Sequence, residues 1–214
     1  MARPRSAAGR CRRTHEELKT VFPEAECELN FQNAFQLLTA TILSAQATDI
    51  SVNKATPLLF KKYPSPEALA EAEIPDIEEC VRTIGLYRSK AKNLQGMARK
   101  LITEFGGSVP ESMSDLVSLP GVGRNTANVV RSVALGLPGL PVDTHVSRLV
   151  SRLGITQETD PVKIEKEISP MLPPSERGEF SLRVILHGRR VCFARKPNCN
   201  ECILNYFCPS AFKV

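Results

Sequence analysis

Residues 118–130, SLPGVGRNTANVV, predict the end of one helix, a tight turn and the start of a second helix. The first helix would begin with Ser114 or Asp115 as its N-cap. It would end at Pro120, because proline lacks the N–H group that a continuing helix requires. The following run, TANVV, is expected to open the second helix and to turn its valines toward a core. The sequence therefore predicts two short helices joined by a tight turn over residues 114–130.

The turn of this element, residues 121–123, is expected to bind an anion. Gly121 and Gly123 permit a tight turn and leave no side chain to block a close approach. The N–H groups of Val122, Gly123 and Arg124 would be free at the start of the second helix, where the helix dipole attracts negative charge. A phosphate of a nucleic-acid backbone could bind there, with the Arg124 side chain pointing toward it. The alternative is an ordinary corner between two helices with a solvated arginine.

The composition permits a nucleic-acid partner and excludes some other classes. The chain has 214 residues and a formal net charge of +5, which allows a polyanionic partner without requiring one. It contains no tryptophan and three tyrosines, so stacking of many bases on aromatic rings is not expected to be the main binding mode. No apolar run is long enough to span a membrane, and the arginine-rich N-terminus lacks the apolar core of a signal peptide. We therefore expect a non-secreted protein with no membrane partner.

The apolar residues follow a helical period along most of the chain, which predicts an all-α protein with many short helices and no strand. Thr14 and Glu17 form a capping-box pattern, so the first helix is expected to begin at Thr14. Thr48 or Asp49 is expected to cap the third helix. Residues 1–13 carry five arginines and little apolar surface, which predicts a disordered arm. This arm could contact DNA phosphates, or it could be a solvated tail.

Four of the seven cysteines lie close together near the C-terminus, at Cys192, Cys199, Cys202 and Cys208. Their spacing, C-x6-C-x2-C-x5-C, can supply four thiolates to one metal centre in a reducing compartment. A structural zinc ion is one candidate, although zinc sites usually show two short cysteine pairs and this loop has one. The wider spacing favours an iron–sulfur cluster, because a cluster is bulkier than a single ion. In either case the expected role is structural.

Further motifs point to one family. They are LSAQATD at residues 43–49, IGLY at 84–87, PVDTH at 141–145 and HG at 187–188. Together with the glycine-rich turn and the cysteine spacing, they closely resemble endonuclease III, a member of the helix-hairpin-helix-GPD superfamily. The resemblance covers nearly the whole chain from about Thr14. It implies an enzyme of base-excision repair, a DNA glycosylase and AP lyase for oxidised pyrimidines.

The resemblance also implies a two-domain, all-α helix-hairpin-helix-GPD fold. A six-helix barrel domain is expected over residues 27–137, with the helix-hairpin-helix at 114–130. Residues 1–26 and 138–214 are expected to form an iron–sulfur domain, with a [4Fe-4S] cluster in the loop 192–208. The implied partner is double-stranded DNA that contains oxidised pyrimidines or abasic sites, bound by a monomer in the cleft between the domains. The implied location is the cytoplasm of a prokaryotic cell, at the nucleoid.

In this family the damaged nucleotide is flipped out of the duplex, because its reacting atoms cannot be reached inside the stack. Gln46 and Leu86 stand where the family has the residues that fill the vacated stack. Without such a role, Gln46 would be an ordinary polar residue at a helix end and Leu86 a half-buried leucine. His145 could line the cleft, or it could make only structural hydrogen bonds. Ser44 and Thr126 could line the pocket that receives the flipped nucleotide, and Thr126 is also an expected DNA contact. Those contacts are Gln46, Leu86, Gly121, Val122, Gly123, Arg124, Thr126 and His145.

A carboxylate and an amine carry the chemistry of this family. The amine, a lysine, attacks the sugar C1′ and holds the sugar as a Schiff base, from which β-elimination cuts the strand. Asp143 corresponds to the carboxylate that stabilises positive charge on the sugar, and it can also be the N-cap of the next helix. Asn125 stands where the family has the lysine, and an amide nitrogen is no nucleophile because its lone pair is delocalised into the carbonyl. Lys90 and Lys92 lie on another predicted helix and are poor substitutes.

Asparagine at position 125 has three explanations. It could be engineered, so that the protein holds DNA uncleaved. It could be natural and leave a monofunctional glycosylase in which Asp143 activates water, since the related adenine-mismatch branch works without this lysine. It could also mark a non-catalytic protein that recognises damage. In each case the sequence predicts that this chain lacks Schiff-base lyase activity.

Overall fold

The structure is a computed structural model that describes residues 3–214, and these residues contain helices and turns but no β-strand. The all-α prediction is confirmed. Within the same residues, no helix combines the length and the apolar character needed to cross a bilayer. Residues 3–214 form eleven α-helices: α1 (Ala7–Val21), α2 (Ala34–Ser44), α3 (Asp49–Lys62), α4 (Pro66–Glu71), α5 (Ile74–Val81), α6 (Tyr87–Phe105), α7 (Met113–Ser118), α8 (Arg124–Val129), α9 (Thr144–Arg152), α10 (Pro161–Ile168) and α11 (Arg177–Arg190).

The chain divides into two compact units. One unit is Cys27–Leu137 and contains α2 to α8, together with a π-helical turn, Val130–Ala134, that continues α8. The other unit combines Met1–Glu26 with Pro138–Val214 and contains α1 and α9 to α11. Each unit has its own cluster of buried apolar residues, as expected of a domain.

The core of the Cys27–Leu137 unit is built around α2. All residues from Phe35 to Leu43 are buried, which is the pattern of a helix with neighbours on every side. The neighbours of α2 are α3, α6, α8 and the π-helical turn. Because α2 ends at Ser44, the loop that follows it leaves the core and carries Gln46 to the surface.

The second unit packs α11 against α1 and α9. The Ser181 hydroxyl of α11 donates to the Pro141 carbonyl at 2.6 Å and is fully buried. Arg183, two residues later, donates from Nε to the Phe22 carbonyl at the end of α1, at 3.0 Å. The bond to Pro141 anchors the segment that leads into α9 and ends at Asp143, and the bond to Phe22 joins α11 to α1.

Helix α1 begins seven residues earlier than the capping-box pattern predicts. Ser6 is its N-cap, and the Gly9 N–H donates to the Ser6 hydroxyl at 3.0 Å. Thr14 is fully buried inside the helix, so the prediction of a start at Thr14 is wrong. The reason is that the buried face of α1 extends toward the N-terminus among arginines. Its members are Cys11, Thr14, His15 and Leu18.

The prediction of a disordered arm over residues 1–13 is also wrong for the part that the structure describes, residues 3–13, because most of it belongs to α1. Arg10 donates from Nε and Nη2 to the Gly154 carbonyl, at 2.9 and 2.6 Å. This arginine therefore joins the N-terminal segment to the end of α9 and is part of the fold. Met1 and Ala2, which belong to the same predicted arm, lie outside the described residues.

Candidate functional site

The helix-hairpin-helix element expected over residues 114–130 consists of α7, a short turn and α8. The N-cap of α7 is Ser112, whose hydroxyl accepts from the Asp115 N–H at 3.1 Å. The prediction of Ser114 or Asp115 as the cap is therefore wrong, because the helix begins earlier, at Met113. Helix α8 also begins earlier than predicted, at Arg124, directly after the glycine of the turn.

The two glycines of the turn have different structural roles. Gly121 has a φ of +78°, in the left-handed region that favours glycine, and a Cβ built on it would lie 2.9 Å from the Asn93 Cβ. Gly123 has an extended backbone with a φ of −88°, and a Cβ there would have nothing within 4 Å. The fold therefore requires glycine at position 121 and leaves open space at position 123.

Exchanging each glycine for alanine should separate these roles. Gly121→Ala adds left-handed strain and a close contact with Asn93, so we expect a loss of about 2 kcal/mol of stability, or roughly 4–8 °C in the melting temperature. Gly123→Ala should cost only about 1 kcal/mol, because alanine is a poorer N-cap than glycine but its Cβ would meet open space. Circular dichroism melts of the two variants test this, and equal losses would contradict it.

The N–H of Val122 is not available to an anion. It donates to the Leu119 carbonyl at 3.1 Å, and the Val122 side chain is buried. The prediction that this amide is free is wrong, because the turn closes on its own backbone. The N–H groups of Asn125 and Thr126 lie instead in the first turn of α8, where helix geometry supplies no carbonyl acceptor. An anion at the turn would be bound from this side.

Asn125 lies in the first turn of α8 with its side chain exposed. Thr126 beside it is half-buried, and the next two residues, Ala127 and Asn128, are buried and hold the helix in its unit. A side chain at position 125 therefore projects to the surface from a fixed backbone. Such a position suits a group that must reach a macromolecular substrate.

Gln46 and Leu86 are both exposed, and both have a left-handed backbone, with φ values of 55° and 61°. A left-handed conformation costs a residue with a Cβ about 1–2 kcal/mol. The structure brings their loops together, because a Cβ built on Gly85 would lie 4.0 Å from the Gln46 carbonyl oxygen. Strain of this kind concentrates at functional sites, where the surrounding structure maintains it.

Asp143 is the N-cap of α9. Its Oδ1 accepts from the Val146 N–H at 2.8 Å, and the residue is half-buried. Within residues 3–214 the second carboxylate oxygen, Oδ2, accepts no hydrogen bond from the protein. The cap therefore orients the carboxylate and leaves one oxygen for a substrate or a water molecule.

His145, in the first turn of α9, has a pKa below its ordinary value. Burial is the largest cause, the positive charges of Arg148 and Arg189 add to it, and Asp143 and the Gly188 backbone act in the opposite direction. Arg148 Nη2 lies 3.2 Å from His145 Nδ1 and also donates to the Gly188 carbonyl at 3.0 Å. His145 is therefore neutral near pH 7 and sits in a hydrogen-bonded contact between α9 and α11.

The four clustered cysteines line one cavity that opens toward solvent. In the described part of the chain, no three His, Cys, Asp or Glu side chains lie close enough together to hold a single metal ion. Four thiols around one cavity are the donor set that holds a [4Fe-4S] cluster.

Hydrogen-bond donors surround the sulfurs of this cavity. Arg152 Nη1 donates to the Cys192 Sγ at 3.3 Å, and the Phe212 N–H donates to the Cys199 Sγ at 3.5 Å. Burial raises the pKa of the Cys202 thiol to about 11. Donors directed at sulfur favour thiolates and tune a bound cluster.

Comparison with known proteins agrees with this geometry. A family model described as HhH-GPD superfamily base excision DNA repair protein matches residues 39–174, and one for the iron–sulfur binding domain of endonuclease III matches residues 192–208. Endonuclease III of Synechocystis sp. is 52% identical over 195 residues, which cover 91% of this chain and 89% of that protein. The chain belongs to the endonuclease III family.

Two solved endonuclease III structures share the fold. A non-covalent endonuclease III–DNA complex has a TM-score of 0.91 and 41% identity, and the match covers 95% of this chain and 96% of that chain. A trapped covalent endonuclease III–DNA intermediate, an estranged-adenine complex, matches with the same values. This chain is thus a DNA glycosylase of base excision repair with the helix-hairpin-helix-GPD fold, and its cofactor is a [4Fe-4S] cluster.

The structure groups the candidate residues of this endonuclease III relative by unit. The turn, Asn125, Gln46 and Leu86 belong to Cys27–Leu137, whereas Asp143, His145 and the cysteines belong to the other unit. Sequence reasoning missed the contact of Arg148 with the cysteine loop, where Nη2 donates to the Cys192 carbonyl at 2.9 Å. It also missed the burial of Lys90. No local pattern indicates either contact, because their partners are 44 and 45 residues away.

Proposed function

We propose that this chain flips an oxidised pyrimidine nucleotide out of double-stranded DNA and releases the base, but does not cut the strand. The observation that carries the proposal is Asn125, exposed at the start of α8 within an otherwise intact set of family motifs. The trapped covalent complex shows that an endonuclease III of the same fold bonds covalently to DNA. An asparagine cannot form such a bond through an imine, so the lyase step is expected to be lost.

Base release without a lysine requires another nucleophile. As the N-glycosidic bond breaks, its electron pair leaves with the base, and positive charge develops on the sugar. The Asp143 carboxylate, oriented by the Val146 N–H, stabilises that charge and accepts a proton from the water that adds to C1′. The product is an abasic site in an uncut strand.

The DNA-binding contacts are assigned to the turn at residues 121–123 and to the loops that carry Gln46 and Leu86. Gly123 allows a backbone phosphate to approach the first turn of α8, with Arg124 and Thr126 beside it. Val122 would contribute packing only, because its amide is already bonded. Gln46 and Leu86 are exposed on two loops that approach each other, which suits side chains that fill the vacated stack. In the second unit, His145 would contact the DNA through a neutral imidazole.

The remaining assignments follow the same family pattern. Cys192, Cys199, Cys202 and Cys208 are the proposed ligands of the [4Fe-4S] cluster, since all four line one cavity. The cluster, when bound, cross-links this loop and supplies structural rather than redox chemistry. Cys27–Leu137 is proposed as the six-helix barrel domain and the other unit as the iron–sulfur domain. We further propose that the protein acts as a monomer on DNA with oxidised pyrimidines or abasic sites, at the nucleoid of a prokaryotic cytoplasm.

A single-turnover assay on a thymine-glycol duplex tests the proposal. One portion of each sample is analysed directly, and a second portion is first heated in alkali, which cuts every abasic site. Base release without strand cleavage gives a product only after alkali, which is the expected result. A product without alkali would show that the chain retains a lyase.

A second candidate is a protein that recognises damage and does no chemistry. Asn125 favours this candidate too, because loss of the nucleophile is also what a pure binder would show. It predicts tight binding to the lesion duplex and no product even after alkali. The same assay, combined with a binding measurement, therefore decides between the two.

A further inference from the structure

Lys90 is a buried lysine whose surroundings do little to stabilise a positive charge. It is 4% exposed, whereas Lys92 on the same helix is exposed. Burial lowers the pKa of Lys90, and within residues 3–214 no carboxylate forms an ion pair with it. It also lies near the N-terminus of α6, where the helix dipole disfavours positive charge and the first turn has no acidic residue. A residue that bears these costs usually serves a function.

The hydrogen bonds of Lys90 connect the two loops that carry Gln46 and Leu86. Its ammonium donates to the Ala45 carbonyl at 2.7 Å, and Ala45 directly precedes Gln46. Its backbone N–H donates to the Leu86 carbonyl at 3.1 Å. The second bond is the first i→i−4 bond of α6, so the Lys90 side chain reaches the Ala45 loop from the helix that Leu86 precedes.

Both loops are strained at the residues in question. Gln46 and Leu86 have left-handed backbones, which side chains with a Cβ adopt only when the surroundings impose it. Ala45 is exposed, so its carbonyl could bond to water if the loop were free to move. The buried ammonium replaces that water with a fixed donor, and this fixes the loop against α6.

We propose that Lys90 is a positioning residue for nucleotide flipping. Its ammonium holds the Ala45 carbonyl, so that Gln46 and Leu86 are presented side by side before DNA arrives. The proposal rests on the proposed role of Gln46 and Leu86 in filling the vacated stack. It gives Lys90 no contact with DNA and no part in bond cleavage.

The test uses the full protein with its cluster and a duplex that carries 2-aminopurine next to a thymine glycol. The fluorescence of 2-aminopurine rises when its neighbour leaves the stack, so it reports flipping whether or not the base is released. The variant is Lys90→Met, which keeps an unbranched side chain one atom shorter and removes the ammonium group. Lys92→Met is the matched control, because it makes the same exchange at an exposed position of α6. Gln46→Ala and Leu86→Ala serve as references.

We expect Lys90→Met to lower the flipping equilibrium about tenfold, the size of effect expected from losing a hydrogen bond to a charged group. Binding to undamaged duplex and the melting temperature should stay unchanged, and Lys92→Met should behave like the parent. Hydrogen exchange should rise at residues 44–48 and not elsewhere in Cys27–Leu137. Lys90→Arg, which retains a cation, should recover part of the signal.

Two results would overturn the proposal. One is a flipping signal in Lys90→Met equal to that of the parent. The other is faster hydrogen exchange throughout Cys27–Leu137, or loss of the fold, since either would make Lys90 an ordinary structural residue. If Gln46→Ala and Leu86→Ala leave the signal unchanged, the role proposed for those two residues fails instead. That failure is distinguishable, because it does not depend on any Lys90 variant.

Discussion

Replacing Asn125 with lysine should produce a protein that cuts DNA at the lesion and that borohydride traps on it. The lysine amine can add to C1′, expel the base and form an imine, and β-elimination then breaks the strand. Position 125 is exposed in the first turn of α8, so the fold should accept the longer side chain with little change in stability. Strand cleavage without alkali should rise by on the order of 10²-fold or more, the range that a positioned catalytic group supplies.

Asn125→Gln is the matched control for this experiment. It lengthens the side chain but leaves an amide, so it should give no trapped product. Borohydride reduces only an imine, which makes trapping specific for the proposed intermediate. If Asn125→Lys binds the thymine-glycol duplex and yields no trapped complex, position 125 is not where the nucleophile acts. If the parent chain is itself trapped, another amine must supply the imine.

The sequence predicted the fold because local motifs and helical periodicity determine most of it. The absence of strands in the described residues and the cap of α3 at Thr48 agree with the predictions. Gly106, with a φ of +59°, ends α6 as its position in the sequence indicates. In each of these elements, the deciding residues are neighbours in the chain.

The predictions failed where distant contacts determine the structure. The start of α1 depends on burial of Cys11 and on the bond from Arg10 to Gly154, which is 144 residues away. A run of arginines resembles a solvated arm unless the acceptor for its guanidinium is known. The free amide assigned to Val122 failed for a more local reason, because the turn bonds Val122 to Leu119.

The sequence predicted which residues form the site, and the structure adds their backbone conformation and their burial. Family motifs pointed to Gln46 and Leu86, but nothing in a single sequence shows that both have left-handed backbones. Lys90 looks like any lysine on an amphipathic helix, but it is buried and its ammonium donates to a carbonyl 45 positions away. Conformation and burial therefore carry information about function that residue identity alone does not.

The second large effect is expected at Asp143, where two roles must be separated. The carboxylate caps α9 and is also proposed to stabilise the charged sugar. Asparagine caps a helix about as well as aspartate but carries no charge. Asp143→Asn should therefore lower base release by about 10²–10⁴-fold and leave the melting temperature almost unchanged.

Asp143→Ala completes the comparison, because it removes both the charge and the cap. It should lose as much activity as Asp143→Asn and, in addition, about 1 kcal/mol of stability, or roughly 2–4 °C for a protein of this size. Single-turnover base release and circular dichroism melts measure the two quantities independently. If Asp143→Asn stays active while Asp143→Ala does not, the carboxylate serves only as a cap. The charge that stabilises the sugar would then have to come from another group, and water activation by Asp143 would be excluded.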